Sequence, residues 1–346
     1  MKFLKYKDLK IFNEKLNKDY INYDILIKKI IENKKVLIIC GPTCIGKTEI
    51  AINLASILKT NIISLDSIQV YKGMNIGTDK YNTEKYGIKQ FMVDIINPDK
   101  IMTVVEFRDL CRLKIEKYFF SKNKIPVLVG GSGLYIRGTV DNLEFIPKSN
   151  PNIRKSLLGK IKKDGLNTFY KKLEKIDKKY ASKISKNDER RIIRALEVYK
   201  ITGKTFSKFQ NNWENRESIY KSIFIGIDVD RSILYRKIEN RVDRMFDDNL
   251  IEEVKNLKNK GYGKSRSLRQ AIGYKEVLEY LEGDKSLKEC IFEVKKNTKR
   301  LAKKQLTWFK ADKRINWIRV NNYDNILYSI NDIIKIIWKN SINLRG

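Results

Sequence analysis

The chain has 346 residues, enough for one to three domains with a sizeable core, and its 72 Lys and Arg against 41 Asp and Glu give a formal charge of +31. This basic balance indicates a polyanionic partner, and we favour nucleic acid over a merely solvated lysine-rich surface. The chain contains no histidine, which excludes histidine-dependent triads and Cys/His zinc sites, so acid–base chemistry falls to Asp, Glu, Lys, Tyr or Cys.

Residues 1–35 are rich in lysine with interleaved acidic residues, and they contain no arginine. A transit peptide would be rich in arginine, so these residues do not fit one. We interpret them as an amphipathic helical extension. No apolar run approaches the length of a membrane span, and no signal-peptide pattern opens the chain. The expectation is a cytoplasmic protein without membrane contact, and we expect a monomer.

Short apolar runs and helical periodicity alternate from residue 36 onward. The runs predict buried parallel strands at 36–40, 61–65, 126–129, 223–230 and 315–320. The periodic segments between the first of these predict helices at 47–58 and 103–120. This alternation indicates a doubly wound α/β sheet, whose functional site lies at the carboxyl ends of the strands.

The character of the sequence changes after Pro147. Residues 148–215 contain basic helical segments without a convincing strand, and we interpret them as a helical subdomain inserted into the core. Three long helices are expected after the insertion, at 231–260, 267–282 and 286–312. The predicted organisation is an extension (1–35), the first part of the core (36–147), the insertion (148–215) and the completion of the core with C-terminal helices (216–346).

The first predicted strand runs into GPTCIGKT, residues 41–48, which has the pattern of a phosphate-binding loop. The loop amides and the N-terminus of the following helix form a positive cradle for phosphate. Lys47 adds a point charge, and the Thr48 hydroxyl can ligate Mg²⁺. The pattern is typical of ATP- and GTP-binding proteins, but it indicates only a polyphosphate site and does not identify the polyphosphate.

The second predicted strand ends in SLDSIQVYKGMNIGTDK, residues 64–80, close to the expected phosphate cradle. Asp66 has three possible roles there: a magnesium ligand of the Walker B type, a general base, or the cap of the next turn. A Walker B aspartate normally follows an unbroken apolar run, and Ser64 interrupts the run here. That interruption disfavours the first of the three roles.

Six motifs resemble those of bacterial tRNA dimethylallyltransferases in order and spacing, over about residues 36–317. They are GPTCIGKT, DSIQVYKGMNIGTDK, GGSGLYIRG, NDERRIIRALEVYKITGK, RSLRQAIGYKE and TKRLAKKQLTWF. The resemblance implies a P-loop NTPase-like fold. It also implies an enzyme that transfers a dimethylallyl group from dimethylallyl diphosphate to the exocyclic amine of adenosine at tRNA position 37, 3′ of the anticodon. The partners it implies are dimethylallyl diphosphate and the tRNA anticodon stem-loop, with Mg²⁺ as cofactor and with the loop holding diphosphate instead of ATP.

The resemblance also assigns roles to particular residues. Asp66 matches the general base, and Ser132 stands where the family uses a threonine hydroxyl in catalysis. Thr48 matches the magnesium ligand. The positions that match the diphosphate site are Gly41, Pro42, Thr43, Cys44, Ile45, Gly46, Lys47, Thr48 and Arg137, although a structural ion pair is the alternative for the last of them.

Three segments match tRNA-contacting positions of the family, and a solvated helix face is the alternative for each arginine. The first segment comprises Asp66, Ser67, Ile68 and Gln69. The second comprises Arg190, Arg191, Ile192, Ile193 and Arg194 on the insertion. The third comprises Arg269, Gln270, Ala271, Ile272, Gly273, Tyr274 and Lys275 in the C-terminal helices. Together with the net charge, they favour contact with RNA phosphates and bases.

The sequence departs from the family pattern at three places and leaves three rival functions open. Cys44-Ile45 replaces Ala-Ser, Lys89-Gln90-Phe91 replaces Pro-His-His, and Arg190 replaces Gln. None of these changes removes Asp66, Lys47 or the Thr48 hydroxyl. The rivals are a P-loop kinase, an isopentenyltransferase acting on free AMP, and an RNA-binding protein with an inactive loop.

Overall fold

A computed structural model describes residues 21–211, 217–320 and 326–342, so most of the predicted N-terminal extension lies outside the described residues. The chain divides into two compact units. The larger comprises the described residues up to Val140 and those from Tyr220 onward. The smaller, Asp141–Ile219, contains the whole of the predicted insertion, 148–215.

A six-stranded sheet forms the centre of the larger unit, and all its strand pairs are parallel. The strands are β1 (Lys35–Cys40), β2 (Ile62–Ser64), β3 (Gln90–Phe91), β4 (Val127–Gly130), β5 (Lys221–Asp228) and β6 (Ile315–Arg319). Their order in the sheet is β3-β2-β4-β1-β5-β6. The predicted parallel α/β sheet is therefore confirmed.

The central strand β1 is apolar from Val36 to Cys40, and its position in the sheet explains this run. It pairs with β4 on one side, with Leu37 opposite Val127, and with β5 on the other, with Ile39 opposite Ile225. All of its residues are buried, because helices cover both faces of a parallel sheet. The carboxyl ends of β1, β2 and β4 therefore meet at one edge.

The helices of the larger unit flank the sheet. They are α1 (Tyr23–Glu32), α2 (Lys47–Ile57), α3 (Val104–Lys114), α4 (Gly133–Val140), α10 (Arg231–Asp247), α11 (Leu250–Asn259), α12 (Arg266–Gln270), α13 (Tyr274–Leu281), α14 (Leu287–Lys310) and α15 (Ile326–Ile342). None of the helices in the described ranges combines the length and hydrophobicity needed to cross a bilayer.

The insertion has a hydrophobic core of its own. Its helices are α5 (Pro151–Asp164), α6 (Leu166–Ile176), α7 (Lys178–Ala181), α8 (Glu189–Thr202) and α9 (Phe206–Asn211). Phe169 and Leu173 of α6 pack with Ile192 and Ile193 of α8 in this core. The regular elements described within 148–215 are these helices.

The helix boundaries differ from the predictions where the backbone turns left-handed. The predicted helix 231–260 is divided between α10 and α11, because Asn249 has φ 69°. The predicted helix 267–282 is divided between α12 and α13, where Gly273 has φ 92°. The short strand β3 and the last helix, α15, were not predicted.

Candidate functional site

The phosphate loop lies between the end of β1 and the start of α2. Its backbone is left-handed at Cys44, φ 65°, and at Gly46, φ 81°. Gly41 has φ 146°, and a side chain there would meet the Ile227 carbonyl oxygen at 2.8 Å. Gly46 precedes α2 without a side-chain cap, so the first amides of the helix stay open to an anion.

Lys47 folds back over the loop, and its Nζ donates to the Pro42 carbonyl at 2.6 Å. Burial lowers the pKa of this ammonium group to about 8, although Cys44 and Asp66 partly offset the loss of solvent. The group therefore carries its charge at neutral pH while lacking much of its hydration. An anionic ligand in the loop would stabilise that charge.

Thr43 connects the loop to two distant helices. Its hydroxyl accepts a hydrogen bond from Nη1 of Arg241 on α10 at 2.8 Å, and its amide donates to Oε1 of Gln305 on α14 at 2.8 Å. Arg241 Nη1 also lies 3.3 Å from the Cys44 sulfur. Arg241 Nε is buried and lacks a hydrogen-bond partner in the described residues, although Asp79 lies 3.6 Å away. An arginine so placed suits a phosphate oxygen.

Sequence reasoning missed both Arg241 and Gln305. Arg241 lies in a helix dense in charged residues, and no local pattern separates it from its neighbours. Gln305 lies within the motif TKRLAKKQLTWF, which carried the resemblance without giving this residue a role.

Asp66 follows β2 and uses only one of its two carboxylate oxygens within the protein. Oδ1 accepts from the amides of Ile68 at 2.8 Å and Gln69 at 3.3 Å, which makes Asp66 the cap of the next turn. Oδ2 makes no hydrogen bond to any described residue. The Asp66 carboxylate raises the pKa of both Lys47 and Arg241, which is consistent with one candidate site that includes both loops.

The other residues of the first predicted RNA-contacting segment, 66–69, differ in solvent exposure. Ser67 and Ile68 are half-buried, whereas Gln69 is buried. The Gln69 side chain accepts from the Ser64 hydroxyl at 2.7 Å and donates to the Thr78 carbonyl at 3.1 Å. Its present contacts stabilise the segment 64–80 from inside.

Ser132 lies in a crowded glycine turn between β4 and α4. It is half-buried, and its hydroxyl makes no hydrogen bond among the described residues. A side chain at Gly131 would come within 2.6 Å of Gln305 Nε2, and one at Gly133 would collide with the ring of Trp308. The glycines therefore allow α14 to pack directly against the turn that carries Ser132.

Arg137 follows that turn, on α4. It is 4% exposed, and its guanidinium lies 6.0 Å from the ring centroid of Trp308. The ring offers the guanidinium a cation–π contact inside the protein. Its assignment to the diphosphate stays a prediction.

The RNA segment on α8 combines exposed and buried side chains. Arg190 and Arg191 are exposed, whereas Ile192 and Ile193 lie in the core of the insertion. Arg194 donates to the buried carboxylate of Glu197 at 2.8 Å and to the Pro147 carbonyl at 2.5 Å. The first two arginines have the placement that a phosphate contact requires.

Glu197 ties α8 to the start of the insertion. Its carboxylate accepts from the Ser149 hydroxyl at 2.6 Å and the Asn150 amide at 2.7 Å, besides Arg194. Burial alone would raise the pKa of this carboxyl group, but these hydrogen bonds outweigh it and lower the pKa. Arg194 is therefore part of a structural network.

The RNA segment at the α12–α13 junction is also mixed. Gln270 and Lys275 are exposed and Ile272 is half-buried, whereas Ala271, Gly273 and Tyr274 are buried. Arg269 donates to both carboxylate oxygens of Glu282. It also donates to the Gly263 carbonyl at 2.9 Å. Contact with RNA from the buried positions would have to come through the backbone.

Tyr274 links this junction to the segment that begins at Asp66. Its hydroxyl donates to Glu253 of α11 at 2.6 Å. The same carboxylate accepts from the amides of Asn75 and Ile76. The buried tyrosine thus supports the residues that follow the Asp66 turn.

A basic groove of about 420 Å³ lies between α10 and α14, and sequence reasoning gave its residues no role. Phe292 in the groove is 64% exposed. Lysines and arginines with two aromatic rings offer both charge and stacking surfaces to a polyanion with bases. The lining residues are Arg231, Tyr235, Glu239, Phe292, Lys295, Lys296, Lys299, Arg300 and Lys303.

The described residues contain no group of three or more Asp, Glu or Cys side chains that could enclose a metal ion. Mg²⁺ does not require such a group, because it commonly takes one or two protein ligands together with substrate phosphates and water. The Thr48 hydroxyl at the start of α2 makes no hydrogen bond within the described residues and is free to serve. The donor set fits Mg²⁺ held mainly by a diphosphate.

Two family models match the chain: one described as IPP transferase over residues 69–312, and one described as isopentenyl transferase over residues 34–103. A relative named tRNA dimethylallyltransferase, from Syntrophomonas wolfei, is 43% identical over 296 residues, covering 84% of this chain and 93% of the relative. A second of that name, from Natranaerobius thermophilus, is 42% identical over 86% of this chain and 90% of its own.

Solved structures are similar over most of the chain. The full-length tRNA isopentenylpyrophosphate transferase of Bacillus halodurans aligns with a TM-score of 0.65 and 37% identity, covering 89% of this chain and 98% of its own. A eukaryotic dimethylallyltransferase, solved in the course of acting on tRNA, aligns with a TM-score of 0.73 and 26% identity, covering 86% and 77%.

Proposed function

This chain belongs to the IPP transferase family, and we propose that it transfers a dimethylallyl group from dimethylallyl diphosphate to the exocyclic amine of adenosine at tRNA position 37, 3′ of the anticodon. The products are N6-(dimethylallyl)adenosine and diphosphate. The observation that carries the proposal is that Lys47 and Arg241 both contact the phosphate loop, while Asp66, after β2, keeps one carboxylate oxygen without a partner among the described residues.

The phosphate loop binds the diphosphate of the allylic substrate. The open amides at the start of α2, the ammonium of Lys47 and the guanidinium of Arg241 surround the site with positive groups. They stabilise the negative charge that grows on the diphosphate as it departs. The Thr48 hydroxyl would help to hold Mg²⁺, which would supply further neutralisation of that charge.

Asp66 acts as the general base. The amine nitrogen forms a bond to the first carbon of the dimethylallyl group, while the bond from that carbon to the diphosphate oxygen breaks and its electron pair leaves with the diphosphate. The amine proton moves to Oδ2, because Oδ1 already accepts two amides. Turn cap and general base are therefore compatible roles for one carboxylate.

The adenosine is stacked within the anticodon loop, so it must be extracted before its amine can reach Asp66. Arg190 and Arg191 and the basic groove between α10 and α14 supply positive charge for the RNA backbone. We further propose that the protein works as a cytoplasmic monomer.

The decisive experiment incubates the protein with dimethylallyl diphosphate, Mg²⁺ and unmodified tRNA, followed by nucleoside analysis by mass spectrometry. We expect an adenosine carrying one dimethylallyl group, at the position 3′ of the anticodon. Parallel reactions with AMP replacing the tRNA test the free-nucleotide alternative.

Calorimetry with ATP and with dimethylallyl diphosphate tests the kinase alternative. We expect the allylic diphosphate to bind and ATP not to turn over. Tight ATP binding with turnover, and none with the allylic diphosphate, would refute the proposed function.

A further inference from the structure

The side-chain amide of Gln305 lies between the phosphate loop and the glycine turn that carries Ser132. Its Oε1 accepts the Thr43 amide at 2.8 Å. Its Nε2 lies so close to Gly131 that a side chain there would come within 2.6 Å of it and within 3.5 Å of the Gly41 carbonyl oxygen. A residue of a distant helix thus contacts both loops of the site.

The hydrogen bond to Thr43 fixes the orientation of this amide. A backbone N–H is only a donor, so the atom facing it must be the oxygen, and the NH₂ group must point the other way. Nε2 makes no hydrogen bond to any residue in the described ranges. Two N–H donors therefore remain available next to Gly131, in the turn that lies against the phosphate loop.

The helix that carries Gln305 is attached to α10 and to the glycine turn. Lys299 and Lys295 of α14 form ion pairs with Glu239 and Asp243 of α10 at 2.5 and 2.6 Å. One turn beyond Gln305, Trp308 packs against Gly133. A donor on such a support loses little freedom when it binds a ligand.

We propose that Gln305 is a further diphosphate-binding residue, with Nε2 donating to a diphosphate oxygen while Oε1 holds the Thr43 amide. The inference rests on the proposed function, because it requires diphosphate in the loop. It makes α14 a shared support for the loop and for the basic groove.

The test measures binding of inorganic diphosphate with Mg²⁺, and of an unmodified anticodon stem-loop, by calorimetry. Gln305→Met keeps the length of the side chain and loses both polar groups, so diphosphate affinity should fall on the order of tenfold. Gln305→Glu keeps the acceptor for Thr43 but replaces the donor by a negative charge, so the loss should be larger. Stem-loop affinity should change less than about twofold in both.

Thr307→Ala, on the exposed face of the same helix, is the matched control and should bind diphosphate like the wild type. Diphosphate binding by Gln305→Glu that equals or exceeds that of Gln305→Met would overturn the inference, because the side chain would then act only through Thr43. Equal losses for both ligands with a lower melting temperature would overturn it too. Failure of the wild type to bind diphosphate would instead refute the proposed function.

Discussion

The phosphate loop and the helical insertion hold their positive charges in different ways. Lys47 and Arg241 are half-buried and fixed by hydrogen bonds at 2.6 and 2.8 Å. Arg190 and Arg191 stand exposed on α8. The first arrangement is preorganised for one small anion, whereas the second suits a long polyanion whose contacts are individually weak. Substitutions should therefore have large and specific effects in the loop, and small, salt-dependent ones on the insertion.

The largest effect is expected at Asp66. Asp66→Asn keeps an oxygen to cap the Ile68 amide and loses the basic oxygen, so the turn should survive while the chemical step slows roughly 10²–10⁴-fold. Single-turnover rates with saturating tRNA and allylic diphosphate measure that step.

Binding of both substrates serves as the control for Asp66→Asn, and it should stay close to that of the wild type. A variant that alkylates at the wild-type rate would show that Asp66 is only a turn cap. A variant that no longer binds tRNA would assign it to recognition.

A smaller effect is expected for Arg241→Gln. Loss of a charged donor beside Thr43 should weaken diphosphate binding about 10- to 100-fold, the usual range for hydrogen bonds to charged groups. Arg244→Gln removes the same charge from the exposed face of the same helix. Titration calorimetry should give the Arg244→Gln control a diphosphate affinity close to that of the wild type. Equal losses of affinity in both variants would show that Arg241 acts through its charge at a distance and not through a direct contact.

The pH dependence of binding tests whether Lys47 is as enclosed as its surroundings indicate. Because its pKa is lowered to about 8, the favourable charge is present below pH 8 and is lost as the pH rises above it. Affinity for dimethylallyl diphosphate should fall up to about tenfold per pH unit between pH 8 and 9.5. Lys47→Arg stays charged and should give a flat profile. A flat profile in the wild type would contradict the lowered pKa.

Sequence reasoning predicted the parts of the candidate site that are local in the chain. GPTCIGKT and Asp66 carry their own signals, because a glycine loop between a strand and a helix needs no distant partner. Arg241 and Gln305 lie 198 and 262 residues from Thr43. Only the packing of α10 and α14 brings them to the loop. The periodicity of a sequence does not predict which distant helices pack together.

The fold was predictable to a similar degree. Buried apolar runs identified five of the six strands, whereas β3 has only two residues and too short a pattern. The resemblance assigned every residue of a motif to RNA contact, although Ile192 and Tyr274 are buried in the hydrophobic cores. Burial separates such residues from exposed neighbours such as Arg190, and a motif alone does not.

The smallest effect is expected on the insertion, where three neighbouring arginines offer an internal comparison. Replacing Arg190 and Arg191 together by Ala should weaken tRNA binding only several-fold at moderate salt. It should also lower the slope of log affinity against log salt by up to about two units, one for each arginine that binds a phosphate. The melting temperature should not change, because both side chains are exposed.

Arg194→Ala should behave in the opposite way. It removes one hydrogen-bond partner from the buried carboxylate of Glu197 and leaves Ser149 and Asn150 as the others. A buried charge that loses a partner destabilises the fold by roughly 1–3 kcal/mol, so thermal unfolding should show a lower melting temperature for this variant. For the folded protein, the slope of log tRNA affinity against log salt should match that of the wild type. If instead Arg194→Ala lowers the slope as much as the exposed pair does, then Arg194 leaves Glu197 to bind RNA, and the insertion binds its anion by rearranging a structural contact, unlike the loop.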